Sequence, residues 1–466
     1  MKYKNALLLL LLCILPIFGQ SEFPSTPAGK RAAMFLQMLG SKDDAALKDF
    51  IAGSMTPNNS ITPEQRLERF RGIRTDLAGA KLVKFITAGD QNVVFVVETA
   101  RGETLKVQLA FAPGEEKLIG GLQVEPVDKN ALNDITTGEQ KTLTETELVS
   151  ALQKYLEALS KSDKFSGVVL VAKNGKPVFT SAYGLADRDK NIPNRIDTKF
   201  NIGSENKIFT QFAIGMLADE GKLSLKDTVG KFLPDYPNKE AAEKVTIEQL
   251  LTMRSGIGDF FGPKFAGADK TKIRALKDYF PFFASDPLLF APGTDSRYSN
   301  GGYVVLGAII EKVSGKSYYD FVRERIFRPA GMSDTDSYES DAGTDNMAMG
   351  YTMRITPGKL MNNLTTRPAR GSSAGGGYST AGDMLKFAGA IESGKLGMPK
   401  SLSASSDPRL SQAGAGGIGI AGGAPGINAA FDTKLKGIYT VVVMSNLDPP
   451  SAEEVSRQIR TWLGGN

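Results

Sequence analysis

At 466 residues the chain exceeds one ordinary domain, and two or three are expected. A hydrophobic content of 41% and a charged content of 23% suit a globular protein, and a formal net charge of +5 gives no reason to expect a nucleic-acid partner. Histidine is absent and cysteine occurs once, so a Ser-His-Asp triad is excluded, zinc and haem lose their usual donors, and neither metal nor cofactor is expected.

Lys2 and Lys4 precede an apolar run from Ala6 to Leu15, closed by Pro16, Phe18 and Gly19. Residues 1–20 therefore read as a secretory signal peptide, with a retained N-terminal anchor as the alternative. Removing it takes away two lysines, no acids and the single cysteine, Cys13, and leaves no expected membrane span. The mature chain is then exported, to the periplasm or beyond, and disulfides cannot hold it together.

Residues 24–127 predict three helices followed by a meander of strands. Ala33, Phe35, Leu36 and Leu39 suggest the first helix, and Ser41 with Asp43 and Asp44 opens the second. Thr62, Pro63 and Gln65 form a capping box ahead of Leu67, Phe70, Ile73 and Leu77. Turn signals at Gly89-Asp90, Arg101-Gly102 and Pro113-Gly114 separate strands, of which Leu105, Val107, Leu109 and Phe111 alternate cleanly. In element order this small α+β segment resembles nuclear-transport-factor-2-like cones.

A polar stretch, 128–142, reads as a linker, and 143–466 as one larger α+β domain. It opens on a helix carrying Leu148, Leu152, Tyr155, Leu156 and Leu159, then the hairpin "GVVLVAKNGKPVFTSAYG" turning at Asn174-Gly175. Near the other end "INAAFDTKLKGIYTVVVMSNLD" reads as two strands with a short turn. A last helix opens at Ser451, with Glu454 in capping-box position. Elements at both ends bracket a helical middle, which suits a sheet assembled from both termini. The Gly/Ala/Ser-rich run Ser401–Gly426 reads as a loop.

In "FNIGSENKIFTQFAIGMLADEGKL", Ser204 begins a helix with Ile208, Phe212, Ala213, Met216 and Leu217 on its apolar face and Gly221 at its stop. Ser204 and Lys207 stand at i and i+3, on one face and at the positive end of the helix dipole. The bland reading is a capping serine and a solvated lysine. For the lysine to act as a base, its pKa must fall by about three units, roughly 4 kcal/mol, through burial or a neighbouring cation. A tyrosine sharing its proton would ease that requirement. Three Tyr-x-Asn tripeptides occur, at Tyr3, Tyr236 and Tyr298. The last, in "FAPGTDSRYSNGGYVVLGAIIEKVSG", lies at a loop-to-helix junction that can face a cleft; there Asn300 also reads as a plain helix cap.

"SENK" and "YSN", with the ordered blocks "DTKFNIGSENKIFT", "GKLSLKDTVGKFLPDYP", "TIEQLLTMRSGI", "PAGMSDT", "GGGYSTAGDMLKFA" and "GGAPGI", resemble the serine β-lactamase-like superfamily of class C β-lactamases, D-alanyl-D-alanine carboxypeptidases and related esterases. The resemblance spans roughly Gly167 to Leu463. It implies an antiparallel sheet flanked by helices with a helical subdomain. It further implies Ser204 as acylated nucleophile, Lys207 and Tyr298 exchanging its proton, Tyr298 activating the deacylating water, and Asn300 binding the substrate amide or orienting Lys207. The N–H groups of Ser204 and Gly423 would form the oxyanion hole. The family's third motif, Lys-Thr-Gly or His-x-Gly, falls on Ile420, Ala421 and Gly422: the glycine that admits substrate is kept and the cation is lost. Arg254 and Arg297 are the candidate replacements.

The leading expectation is an exported serine hydrolase acting on an ester or amide of a small molecule or peptide, β-lactams being disfavoured without the cation. The alternatives are a weakened pseudoenzyme, on account of Ile420, and a binding or scaffold role led by the N-terminal domain. The oligomeric state is left open.

Overall fold

The computed structural model describes residues 23–40, 43–56, 63–77, 79–88, 92–100, 102–112, 118–127, 142–356, 358–404 and 418–464. Residues 1–20, the 128–141 part of the linker, Ser41, Thr62 and the turns at Gly89-Asp90 and Pro113-Gly114 lie outside them. The chain divides into two compact units, Met1–Glu139 and Gln140–Asn466.

In the first unit, helices Pro27–Gly40, Asp44–Ser54 and Pro63–Asp76 precede four antiparallel strands paired in chain order: Lys81–Ala88, Asn92–Glu98, Thr104–Phe111 and Ile119–Pro126. The Asp43 side chain accepts from Ala45 N at 2.8 Å and so caps the second helix. Phe35, Leu39, Leu47, Leu67 and Phe70 are buried with Val93, Phe95, Val97, Val107 and Leu109 in one core. The alternation of Val107, Leu109 and Phe111 puts all three on the buried face, as the two-residue period of a strand requires.

In the second unit the strands pair antiparallel in the order Gly419–Ala424, Ile427–Leu435, Tyr439–Ser445, Gly167–Lys173, Lys176–Tyr183. Both ends of the segment therefore meet in one sheet. The hairpin turns at Asn174 and Gly175, both with positive φ (50° and 72°), the backbone a two-residue turn needs. One sheet face, with Val169, Val171, Val441 and Val443, packs on Leu148, Leu152 and Leu156 of helix Glu145–Lys161 and on Val455 and Ile459 of helix Ser451–Trp462. The other face, with Val168, Leu170, Val442 and Met444, joins the larger core containing Phe209, Phe212 and Phe387. The result is α+β, helix over sheet over helix, with the helical middle, including Lys207–Asp219, Asn300–Ser314 and Ala381–Glu392, on the inner side.

Three local expectations are corrected. Ser204 does not open an α-helix; it sits in a 3-10 turn, Gly203–Asn206, and the α-helix runs Lys207–Asp219. Gly203 opens this tighter turn at φ +52°, a backbone conformation that favours glycine. Ser451 does not cap the last helix, because its hydroxyl is engaged with Ser445 Oγ (3.0 Å) and Lys164 O (3.1 Å). Asn428, from the neighbouring strand, caps it instead: its Oδ1 accepts from Ala452 N at 2.6 Å and Glu453 N at 3.3 Å. The small-residue run from 401 is not all loop, since Lys400–Ser403 is a helical turn and Gly419–Ala424 an edge strand, 405–417 lying outside the described residues.

Asn428 is fully buried, and its Nδ2 also donates to Gly422 O at 3.1 Å, so it ties the last helix to the edge strand. Asn428→Ala should lower stability by about 2–4 kcal/mol, read as a shifted urea midpoint with an unchanged slope.

Candidate active site

The turn Gly203–Asn206 meets the edge strand Gly419–Ala424 almost backbone to backbone. A Cβ at Gly422 would lie 2.2 Å from Ile202 O and 2.8 Å from Ser204 N, and one at Gly203 would lie 3.0 Å from Gly423 N. Only glycines allow this approach, which sets the backbone of Ser204 beside that of Gly423. Gly422 thus serves as a packing contact behind the site: Gly423 and Ala424 line the cleft, and Gly422 does not.

Lys207, the first residue of its helix, is 7% exposed. Its Nζ donates to Asn300 Oδ1 at 2.7 Å and to Ala374 O, and lies 3.2 Å from Ser204 Oγ. Burial pulls its pKa down to about 7, with Asp259 pulling weakly the other way. The Tyr298 hydroxyl donates to Ser204 Oγ at 2.6 Å. About half of Tyr298 faces solvent (53%), yet desolvation of its hydroxyl against the site raises its pKa, with Asp259 adding to the rise and the Ser204 contact opposing it. The Lys207 nitrogen lies 4.8 Å from the Tyr298 ring centroid and 5.4 Å from that of Tyr303.

Asn300 is no helix cap. Ser299 holds that role, accepting from Gly302 N at 2.8 Å, and Asn300 is the first helical residue. Its Nδ2 donates to Asp259 Oδ2 at 2.7 Å, which turns Oδ1 toward Lys207. Asp259 and the Ala374 carbonyl escaped the sequence reading. Ala374 immediately precedes the "GGGYST" block, and Asp259 stands in a loop with no recognisable motif.

Ser204, Asn300 and Gly423 line one open cleft of about 740 Å³, with Phe260, Phe261 and Arg367 among its other walls. The candidate cations fall elsewhere: Arg254 donates to Gly293 O, and Arg297 is exposed outside the cleft lining. Ile420 packs against the large core. Among the described residues no group of three or more carboxylate or cysteine ligands could hold a metal ion, and no helix is long and apolar enough to cross a membrane.

A three-layer α+β fold with a cleft-lining serine whose hydroxyl contacts a buried lysine and a tyrosine is the pattern of a serine hydrolase. The model of the Beta-lactamase family matches residues 152–464, and the chain belongs to that family, one of serine hydrolases. It is 37% identical over 205 residues to penicillin-binding protein 4* of Bacillus subtilis, a match spanning 43% of this chain and 45% of that relative. A solved penicillin-binding protein from Bacillus halodurans superposes with a TM-score of 0.59 at 30% identity, covering 66% of this chain and 98% of that one. The D-amino acid amidase of Ochrobactrum anthropi SV3 shares the fold at 24% identity and a TM-score of 0.55, over 68% of this chain and 97% of its own.

Unfolding returns Lys207 to an ordinary pKa near 10.5, so between about pH 7 and that value the unfolded chain holds a proton the folded chain lacks. Stability contributed by this group therefore rises with pH across that window. Lys207→Met should raise the melting temperature at pH 7 by about 3–6 °C, the gain shrinking toward pH 10. Thermal scans of both proteins at pH 7 and 10 check it.

Proposed function

We propose that the chain is an exported serine hydrolase that cleaves an ester or amide of a small molecule or peptide through an acyl-enzyme on Ser204. The reading rests above all on one observation: Ser204 Oγ lies within hydrogen-bond reach of both Lys207 Nζ and Tyr298 Oη. Export is supported by the basic and then apolar composition of residues 1–20.

A neutral lysine amine has two hydrogens and one lone pair. The hydrogens are directed at Asn300 Oδ1 and Ala374 O, which leaves the lone pair for Ser204 Oγ. With its pKa drawn down to about 7, Lys207 takes the serine proton as Oγ attacks the substrate carbonyl. The N–H groups of Ser204 and Gly423 hold the developing oxyanion. Tyr298, protonated because its pKa is raised, passes a proton to the leaving group and is reprotonated from Lys207. Deacylation runs the same path in reverse: water loses its proton to the Tyr298/Lys207 pair, and Ser204 regains one. Asp259 keeps the Asn300 amide in the orientation this arrangement needs.

With Ile420 at the position of the third-motif cation, esters and open amides are favoured over β-lactams as substrates. Saturating fluorophosphonate should add one label to Ser204, detected by intact mass and absent in Ser204→Ala. A wild-type chain that takes no label would replace this reading with that of a pseudoenzyme on the same fold. In kcat/KM for a neutral ester, the rate should rise with pH through about 7 as Lys207 loses its proton. A fall should follow only above pH 10, where Tyr298 ionises.

A further inference from the structure

Among the described residues, Arg367 is the one charged side chain lining the cleft. It precedes Pro368, which confines its backbone to extended conformations. Its Nη1 donates to Tyr378 Oη at 2.6 Å, its guanidinium lies 6.0 Å from the Tyr378 ring centroid, and its Nε is buried without a partner. Tyr378 pairs directly with Asn201, whose Oδ1 accepts from Gly203 N at 2.9 Å, so Arg367 is anchored to the segment that delivers Ser204.

No carboxylate among the described residues forms an ion pair with Arg367. The acid beside Tyr378, Asp336, is taken by Arg323 at 2.7 and 3.1 Å. The contrast with Arg370 is informative. That side chain donates to Ser337 O, lies 3.7 Å from Glu339 and stacks 3.6 Å from the Tyr319 ring centroid, a structural role that uses its charge internally. Arg367 lines the cleft and forms no such internal ion pair among the described residues. The rest of the lining is uncharged and rich in aromatic groups, with Phe260, Phe261, Tyr279 and Tyr338 among it and Phe261 56% exposed.

We propose that Arg367 is the specificity-determining residue of the cleft, and that it selects esters or amides with an apolar body bearing a carboxylate. This rests on the hydrolase reading above and names its substrate class. The cation lost at Ile420 on the edge strand is thereby supplied from another wall, so the anion of the substrate lies in a different place relative to Ser204. A guanidinium presents paired N–H groups that match a carboxylate, and a charge-assisted contact of this kind is worth about 1.5–3 kcal/mol, roughly 10- to 100-fold in affinity.

Mono-4-nitrophenyl glutarate and 4-nitrophenyl valerate have acyl chains of the same length and differ by one carboxylate. The ratio of their kcat/KM values should favour the glutarate in the wild-type chain and fall at least tenfold in Arg367→Met, through KM, with Arg367→Lys between. An unchanged ratio, or equal losses on both esters, overturns the assignment. If the wild-type chain hydrolyses neither ester, fluorophosphonate labelling of Ser204 decides the hydrolase reading separately, and equilibrium binding to the Ser204→Ala protein decides the role of Arg367. There, 4-phenylbutyrate should bind at least tenfold tighter than 4-phenylbutanol, and the added Arg367→Met change should abolish the difference. Equal binding of the acid and the alcohol overturns it.

Discussion

Removing one amine from water is the constraint on which the site depends. Among the described residues Lys207 has no carboxylate paired with it; a carbonyl and an amide oxygen receive its hydrogens, and the rings of Tyr298 and Tyr303 flank it. An ammonium in such a place loses hydration without gaining an ion pair, so the neutral form is favoured. The apolar body of helix Lys207–Asp219, with Ile208, Phe209, Phe212 and Leu217 buried, holds the lysine against the core. The same packing that makes the helix stable keeps its first residue out of water and draws its pKa down to about 7.

Asp259 limits how far this can go. It is the acid that draws the Lys207 pKa upward, and it also raises that of Tyr298. Its carboxylate is occupied by the Asn300 amide and backbone, at 2.7 and 3.2 Å, and its other oxygen by Phe261 N at 3.0 Å. Those contacts spread its charge over neutral donors and keep it one residue removed from the lysine. The carboxylate thus fixes geometry while leaving Lys207 without a direct counter-ion. Arg367 shows the complementary case, a cleft-lining cation bonded to a phenol and, among the described residues, to no acid.

Much of the site was legible because its members fall in short contiguous patterns: Ser204 with Lys207, and Tyr298 with Asn300. Two-residue periodicity and the Asn174-Gly175 turn made the sheet readable from both ends. What escaped reading was whatever a distant segment supplies. Asp259, the Ala374 carbonyl and Arg367 reach the cleft through loop packing, and no local spacing encodes that. The cap on the last helix was missed for the same reason: Ser451 had the right chemistry, but its hydroxyl was claimed across the sheet edge, and Asn428 arrived from the neighbouring strand. The glycines of Gly419–Ala424 read as low complexity because their purpose, contact with the backbone of Ser204, lies more than 200 residues away in sequence.

The first of the two residues between the serine and the lysine extends the logic of the buried amine. Glu205 is 1% exposed, both its carboxyl oxygens lack partners among the described residues, and burial, with Asp432 and Glu453 nearby, raises its pKa well above the ordinary value. It is therefore kept as the neutral acid. On unfolding it would ionise, so its contribution to stability falls as pH rises above about 4.5, where the unfolded carboxyl loses its proton. Lys207 has the opposite slope, gaining as pH rises toward 10.5. Two ionisable side chains two positions apart are thus both shifted toward their neutral forms by burial. Burial of the turn that carries Ser204 shifts an acid upward and an amine downward, and the two contribute pH dependences of opposite sign.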